Sequence, residues 1–199
     1  MKYDILLSGV GGQGVLSMAG LIGMAAVGEG LYAKQSEVHG MAQRGGAVQA
    51  HMRLADRPIE SDLIARAAAD LILSLEPLES LRYLEMLAAQ GTVVTAAEPV
   101  VNIPDYPELA EVHRRIRALP RAILVEAERL AREAGDPLTM NTVIVGAASH
   151  LLPLKPESLE RAIAQLFARK GDEVLQRNLA AFRAGHAAAT GAPAAAAPR

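Results

Sequence analysis

The sequence predicts a three-layer α/β fold, in which helices cover a mostly parallel sheet with one antiparallel strand. Short apolar runs of strand length alternate with helical patterns up to residue 125, as such a fold requires. The residues after 125 follow helical patterns, so the carboxyl-terminal part is predicted to be helical. With 199 residues, the chain is long enough to enclose one sizeable core.

The amino-terminal elements follow from apolar runs and glycines. Residues 1–8 predict a buried strand, residues 8–14 a glycine-rich turn, and residues 15–27 a helix of small side chains. Gly28 and Gly30 predict the end of that helix, because glycine commonly follows the last helical turn. A second strand is predicted over residues 31–35.

Residues 47–54 alternate apolar and polar side chains, which predicts a half-buried strand. About ten residues without a helical pattern join it to the second strand, whereas a parallel crossover usually needs a dozen or more. We therefore expect this third strand to run antiparallel to the second. That direction brings residues 36–46 to the same sheet edge as the glycine-rich turn.

The rest of the chain continues the alternation and then becomes helical. Further strands are predicted at 70–75, 92–95 and 122–125. Helices are predicted at 62–69, 77–90, 105–119, 126–134, 141–152, 156–167 and 171–184. We expect one domain over residues 1–186 and a disordered tail over 187–199, because the tail is rich in Ala and Pro.

The composition excludes several kinds of chemistry. The chain has no cysteine, so it forms neither disulfides nor cysteine-ligated iron–sulfur clusters. Its five histidines lack metal-ligand spacing, and its net charge of −2 gives no reason to expect nucleic acid or an anionic membrane as a partner. The longest uncharged run, residues 5–28, is divided by the glycine-rich turn, and the helix predicted at 15–27 is shorter than the roughly 18 residues of a spanning helix. The chain also opens directly into a strand, and we expect a cytoplasmic protein with no metal site.

The glycine-rich turn fits the pattern GxGxxG, through Gly9, Gly11 and Gly14, with Gly12 and Gln13 between them. Between a strand and a helix, such a turn brings backbone N–H groups and a helix N-terminus to a phosphate, which makes the predicted fold Rossmann-like. A tight strand-to-helix connection is the alternative. A dinucleotide site also needs an acid at the end of the second strand, where residues 33–36 have none, and this weakens an NAD interpretation.

Residues 36–46 combine several side chains that can contact a ligand with flexible backbone. The candidate residues of this polar segment are Ser36, Glu37, His39, Gly40, Gln43, Arg44, Gly45 and Gly46. Arg44 can hold a phosphate or a carboxylate through its fork of donors. An ordinary solvated loop is the alternative, but ligands bind at this edge of open α/β sheets, which favours a functional interpretation.

Two residues further along the chain are candidates for the same edge. Glu76 follows the strand predicted at 70–75, and it either contacts a ligand or simply precedes Pro77 at the start of a helix. Asn141 opens a predicted helix, and the better interpretation of it from the residues alone is a helix cap.

Together these segments resemble the gamma-type domain of the pyruvate/2-oxoacid:ferredoxin oxidoreductases. The resemblance covers residues 1–184 and is carried by residues 9–15, 36–46, 69–72, 76–79 and 141–143. Within that family, residues 36–46 are most similar to the indolepyruvate type. Other branches have a different loop that ends in the same Arg-Gly-Gly.

The resemblance implies a division of labour between two subunits. A large partner binds thiamine diphosphate and [4Fe-4S] clusters, decarboxylates the 2-oxoacid and passes electrons to ferredoxin. This chain binds no cofactor alone; it completes the site and helps to receive coenzyme A, with His39 or Glu37 as candidates to assist proton movement near the thiol. The alternatives are a stand-alone nucleotide-binding (NAD or flavin) oxidoreductase and a non-catalytic binding module of the same fold.

Overall fold

The computed structural model describes residues 1–39 and 45–191, with the backbone alone at Val38 and His39. Gly40, Gln43 and Arg44 of the predicted polar segment, and residues 192–199 of the predicted tail, lie outside the described residues. The predicted α/β class is confirmed, since helices pack on both faces of a six-stranded sheet.

The strands are β1 (Lys2–Val10), β2 (Tyr32–His39), β3 (Ala47–Ala55), β4 (Ala69–Ser74), β5 (Leu87–Ala96) and β6 (Ala122–Val125). The helices are α1 (Val15–Gly28), α2 (Pro77–Arg82), α3 (Leu109–Arg117), α4 (Ala127–Glu133), α5 (Met140–Ala148), α6 (Pro156–Phe167) and α7 (Asp172–Thr190). The prediction for α6 is correct at both ends. Most other elements differ from their predictions by a few residues.

The strand order is β2-β3-β1-β4-β5-β6. The expectation for the third strand is confirmed: β3 runs antiparallel to β2, and it is also antiparallel to β1 on its other side. The pairs β1–β4, β4–β5 and β5–β6 are parallel. The carboxyl ends of β1, β2, β4, β5 and β6 and the start of β3 therefore lie at one edge of the sheet, which we call the carboxyl edge.

Successive side chains of the central strands enter two separate cores, which makes the sheet the middle of three layers. Ile5 and Leu7 of β1 are fully buried in a large cluster with residues of α1 and α4–α7. Leu6, between them, faces a smaller cluster with Ile72 and Val93. Aliphatic side chains dominate both cores, as expected of a chain with 3% aromatic residues.

The helix predicted at 62–69 is wrong, because residues 56–68 form an irregular connection. Side chains of β3 bind its backbone instead. Ile64 N–H donates to His51 Nδ1 at 3.0 Å, and Arg53 donates to the carbonyls of Ser61 and Leu63 at 2.8 and 3.1 Å. These bonds to the side chains of β3 replace the hydrogen bonds of a helix.

The helix predicted at 77–90 is wrong in its second half. Helix α2 ends at Arg82, a short turn follows at Leu84–Met86, and β5 already begins at Leu87. Leu87 pairs with Ala69 of β4, so its backbone joins the sheet while its side chain packs on the smaller core. The leucines have helical spacing, but the last of them pairs with β4 and forms a strand instead of a helix.

The carboxyl-terminal helix α7 extends to Thr190, beyond the predicted end at 184 and past residue 187, where the tail was expected to begin. Alanine is the best helix former, and it dominates this last segment. Among the described residues, no helix is both long enough and apolar enough to cross a bilayer.

Candidate functional site at the carboxyl edge

The carboxyl edge contains a topological switch point between β1 and β4. These strands are parallel neighbours, but the chain leaves β1 through α1 toward β2 and leaves β4 through α2 toward β5, in opposite directions along the sheet. The two connections diverge there and leave a crevice, which is where open α/β sheets bind ligands. The glycine-rich turn follows β1 directly at this point.

The glycine-rich turn has a backbone that only glycine adopts easily. Gly12 and Gly14 have φ angles of 104° and 93°, in the left-handed region. Helix α1 begins directly afterwards, with no side-chain cap in the described structure and no acidic residue in its first turn. Its N-terminus therefore keeps the partial positive charge of the helix dipole and suits an anion.

Gln13 connects the two strands of the switch point. Its Oε1 accepts a hydrogen bond from Val10 N–H at 2.7 Å, and its Nε2 donates to the carbonyl of Leu75 at 3.0 Å. The amide therefore links the end of β1 to the residue after β4. Gln13 was predicted as a ligand contact, and the structure gives it this bridging role between the two strands.

The last two residues of the polar segment, Gly45 and Gly46, lie directly on the glycine-rich turn. Gly11 N–H donates to the carbonyl of Gly46 at 2.8 Å, and Gly45 N–H donates to the carbonyl of Gly11 at 3.3 Å. The expectation that the two stretches meet at one edge is confirmed for these residues. Arg44 itself is outside the described residues, but it directly precedes Gly45 in the chain.

Residues 36–39 of the polar segment form a strand and not a loop, which corrects the prediction for them. Strand β2 continues to His39, and Ser36 and Glu37 pair with His51 and Ala50 of β3. The half-buried pattern of β3 provides a partner strand, and the chain stays extended along it. Ser36 and Glu37 therefore lie on the edge strand of the sheet, as it approaches the carboxyl edge.

Glu76 lies at the carboxyl edge, but its carboxylate is engaged by the protein. The residue is 1% exposed, and Oε2 accepts the N–H of Glu79 at 2.7 Å, which makes Glu76 the N-cap of α2. Oε1 accepts Val100 N–H at 3.4 Å and the hydroxyl of Tyr106. Of the two interpretations, the start of a helix is the one that the structure supports.

Asn141 is not the helix cap that its position suggested. Helix α5 begins one residue earlier, at Met140, and Thr139 precedes it. The Asn141 amide instead lies against the glycine-rich turn, where a Cβ on Gly14 would be 2.8 Å from Nδ2. This close approach places Asn141 beside the glycine-rich turn.

Two residues at this edge were missed from the sequence. The 97–108 connection between β5 and α3 reaches across the carboxyl edge, where Asn102 Nδ2 donates to the carbonyl of Gly45 at 2.8 Å. Tyr106, further along, bonds to Glu76. Their position in the chain could have indicated them. A twelve-residue connection that follows the carboxyl end of a parallel strand begins at this edge and is long enough to cross it.

Burial and charge shift two pKa values beside the site. Desolvation and the hydrogen bond to Glu76 raise the pKa of Tyr106 far above its usual value, so the hydroxyl stays a donor. Burial also raises the pKa of Glu79, although Arg82 opposes the shift. Glu79 Oε2 is buried and has no hydrogen-bond partner in the described part of the chain.

The sheet order argues against a dinucleotide site. In that fold β2 is the neighbour of β1, and its terminal acid reaches the ribose. Here β3 separates β2 from β1, so Glu37, near the end of β2, is about 10 Å from the strand that carries the glycine-rich turn. The fold and this edge therefore define a Rossmann-like α/β protein that departs from the NAD-binding arrangement.

Comparison with known proteins identifies the family. Residues 4–188 match the family model described as pyruvate ferredoxin/flavodoxin oxidoreductase. The chain is 36% identical to the indolepyruvate oxidoreductase subunit IorB of Archaeoglobus fulgidus, with 94% of each chain covered. It is 37% identical to the protein of that name from Pyrococcus horikoshii, with 94% of this chain and 96% of the relative covered. The chain therefore belongs to the pyruvate ferredoxin/flavodoxin oxidoreductase family.

Solved structures agree in fold. The gamma subunit of a keto/oxoacid ferredoxin oxidoreductase from Geobacter sulfurreducens aligns with a TM-score of 0.71 at 23% identity, over 95% of this chain and 99% of that subunit. A 2-oxoglutarate:ferredoxin oxidoreductase from Magnetococcus marinus, with 2-oxoglutarate, coenzyme A and succinyl-CoA bound, aligns with a TM-score of 0.76 at 20% identity. The alignment covers 100% of this chain but 33% of the Magnetococcus chain.

Proposed function

We propose that this chain is the small subunit of an indolepyruvate-type 2-oxoacid:ferredoxin oxidoreductase. The reaction takes an arylpyruvate, coenzyme A and oxidised ferredoxin to arylacetyl-coenzyme A, carbon dioxide and reduced ferredoxin. The observation that carries the proposal is the junction of Gly11 with Gly45 and Gly46, which joins the glycine-rich turn to the polar segment at a switch point. The IorB relatives, similar over nearly the whole chain, supply the substrate class.

The chemistry of decarboxylation and electron transfer belongs, on this proposal, to a large partner subunit. When bound in that partner, thiamine diphosphate would supply the chemistry of decarboxylation, and [4Fe-4S] clusters would supply the electron transfer to ferredoxin. This chain has no cysteine to ligate a cluster. Among the side chains that the structure describes, in residues 1–37 and 45–191, no three His, Asp or Glu are grouped as metal ligands. A cytoplasmic complex with access to soluble ferredoxin fits this division.

The role of this chain is to complete the coenzyme A approach. Coenzyme A carries several phosphates, and the start of α1 offers backbone N–H groups with no acid in its first turn to repel them. Arg44, next to Gly45, adds a forked cation for a phosphate or for the substrate carboxylate. Glu37 or His39, near the end of β2, assists proton movement near the thiol of coenzyme A.

Co-expression with the large subunit tests the function. The purified complex is expected to reduce ferredoxin when given indolepyruvate, in a reaction that requires coenzyme A. Pyruvate and 2-oxoglutarate serve as competing substrates. A complex that forms but prefers either of these would contradict the indolepyruvate assignment, and a small chain that oxidises substrate by itself would contradict the subunit role.

The role of Arg44 is tested in the same complex. Arg44→Ala is expected to raise the KM for coenzyme A or for the 2-oxoacid roughly tenfold to a hundredfold, because hydrogen bonds to charged groups contribute about 1.5–3 kcal/mol. Arg66→Ala is the matched control, since Arg66 is exposed in the connection before β4, at the opposite edge of the sheet. Unchanged KM values for both substrates would exclude Arg44 from the site.

A further inference from the structure

The 97–108 connection is held at both ends. It follows β5, and Ala97 N–H donates to the carbonyl of Val125 at 2.8 Å. The Glu98 carboxylate accepts the N–H groups of Ala127 and Glu128, both at 3.1 Å, and thereby caps α4. At its far end the connection enters α3 at Leu109. Its path between these points crosses the carboxyl edge.

A single buried carboxylate oxygen holds both limbs of this connection together. Oε1 of Glu76 accepts Val100 N–H from the outgoing limb and the Tyr106 hydroxyl from the returning limb. Glu76 is itself fixed, because its Oε2 caps α2. The residues between Val100 and Tyr106 therefore form a loop that is closed at its base by a group with almost no exposure.

Asn102 lies in this closed loop and contacts the other side of the site. Its Nδ2 donates to the carbonyl of Gly45 at 2.8 Å, while Gly45 N–H bonds to Gly11. A chain of contacts thus runs from the buried Glu76 through the loop to Gly45, and from there to the glycine-rich turn. Gly45 itself has a φ of 75°, a left-handed torsion that glycine adopts readily, and these contacts hold both its carbonyl and its N–H.

We propose that Asn102 is a positioning residue for the coenzyme A approach: it holds the Gly45 peptide against the glycine-rich turn, and the closed loop on Glu76 holds Asn102. The inference rests on the proposed function and deepens it, since it names a residue that sets the geometry of that same site. Asn102 acts through Gly45 and Gly11 and touches no reacting atom. Its loss loosens the site without removing any group that binds coenzyme A.

The test compares variants of Asn102 in the complete complex. Asn102→Leu keeps a similar shape but removes the donor, and Asn102→Gln keeps a donor. Val101→Ala is the matched control, because Val101 is the neighbouring residue and is 70% exposed. Amide hydrogen exchange is measured on peptides that contain Gly11 and Gly45, together with KM for coenzyme A and kcat.

Asn102→Leu is expected to speed exchange at both peptides and to raise the KM for coenzyme A about two- to tenfold, with kcat nearly unchanged, as expected for one neutral hydrogen bond. Asn102→Gln is expected to show smaller changes in exchange and KM than Asn102→Leu, because it keeps a donor. Val101→Ala is expected to behave like the wild type. Tyr106→Phe opens the base of the loop, and we expect a change in the same direction.

Unchanged exchange in Asn102→Leu would overturn the inference. Faster exchange with an unchanged KM would also overturn it, because the loop would then stabilise the segment without positioning anything that coenzyme A contacts. A wild-type complex that is inactive with every 2-oxoacid would contradict the proposed function instead. In that case the exchange measurement alone decides whether Asn102 holds Gly45 on the glycine-rich turn.

Discussion

Glycine serves two regions of this protein for different physical reasons. In the glycine-rich turn, Gly12 and Gly14 have left-handed φ angles, and a Cβ on Gly12 would meet nothing within 4 Å. Where α5 crosses α7, Gly146 and Gly185 have ordinary helical backbones. A Cβ there would lie 2.0 Å from the carbonyl oxygens of Phe182 and Val143. The first pair determines the direction of the chain, and the second determines the distance between two helices.

The difference shows what each region can tolerate. A side chain at Gly12 strains the backbone torsion angles, and that strain stays local because open space surrounds Gly12. A side chain at the crossing collides with backbone atoms, which cannot rotate away, so the helices themselves must move apart. The glycine-rich turn therefore depends on torsional freedom, whereas the crossing of α5 and α7 depends on close packing.

The largest effect is expected from Gly146→Ala. The new Cβ has to displace α7, and we expect a loss of about 3 kcal/mol or more in the free energy of unfolding, measured by urea denaturation. Gly20→Ala in α1 is the control, because no atom outside the neighbouring backbone of its own helix lies within 4 Å of its Cβ, and alanine favours a helix by up to about 1 kcal/mol. Equal stability of the two variants would refute the distinction between packing and torsion.

A smaller effect is expected from Gly14→Ala, which combines both costs. The left-handed torsion costs about 1–2 kcal/mol, and the Cβ also meets Asn141 Nδ2. Gly12→Ala has the torsional cost alone. Gly14→Ala is therefore expected to be the less stable of the two. The difference should disappear in an Asn141→Ala background, as measured by a double-mutant cycle of unfolding free energies. A difference that persists would assign the cost to the torsion of residue 14.

The smallest expected effect is a change of stability with pH, and it comes from Glu79 in α2. Burial raises the pKa of Glu79, on the helix that begins beside the glycine-rich turn, above its usual value of 4.5. The folded state then binds this proton more tightly than the unfolded state does. The stabilisation is complete below the unfolded pKa and is lost as pH rises through the folded pKa.

Glu79→Gln removes this contribution to the pH dependence. The stability of the wild type minus that of the variant is expected to fall as pH rises above about 4.5 and then level off, with a total change below about 1 kcal/mol because Arg82 offsets the burial. Urea denaturation at several pH values measures the difference. A difference that rises with pH would mean that the ion pair with Arg82, at 3.0 Å, outweighs desolvation.

Local patterns predicted the parts of the site that depend on local physics. The GxGxxG spacing located the turn, because the need for left-handed torsion is a property of residues 12 and 14 themselves. The short link between β2 and β3 predicted the antiparallel strand, because chain length limits a crossover. That single inference was enough to bring Gly45 and Gly46 to the turn.

Predictions failed where a long-range partner competed with a local pattern. The leucines of 77–90 have helical spacing, yet Leu87 joins β5 because β4 offers a strand to pair with. Residues 62–68 lose their helix to His51 and Arg53 of β3. Ser36 and Glu37 look like loop residues, yet they continue β2 along β3.

The sequence by itself determined the class of fold, the position of the glycine-rich turn and the direction of β3, because each depends on composition, spacing or chain length. The family was indicated by the resemblance of its motifs and shown by comparison with known proteins. Only the tertiary structure decided that Gln13 joins β1 to β4, that Glu76 is engaged by Tyr106, and that Asn102 reaches Gly45. These contacts link residues 30 to 62 positions apart. No local pattern encodes which distant donor reaches a given acceptor, since that depends on how the strands and connections pack.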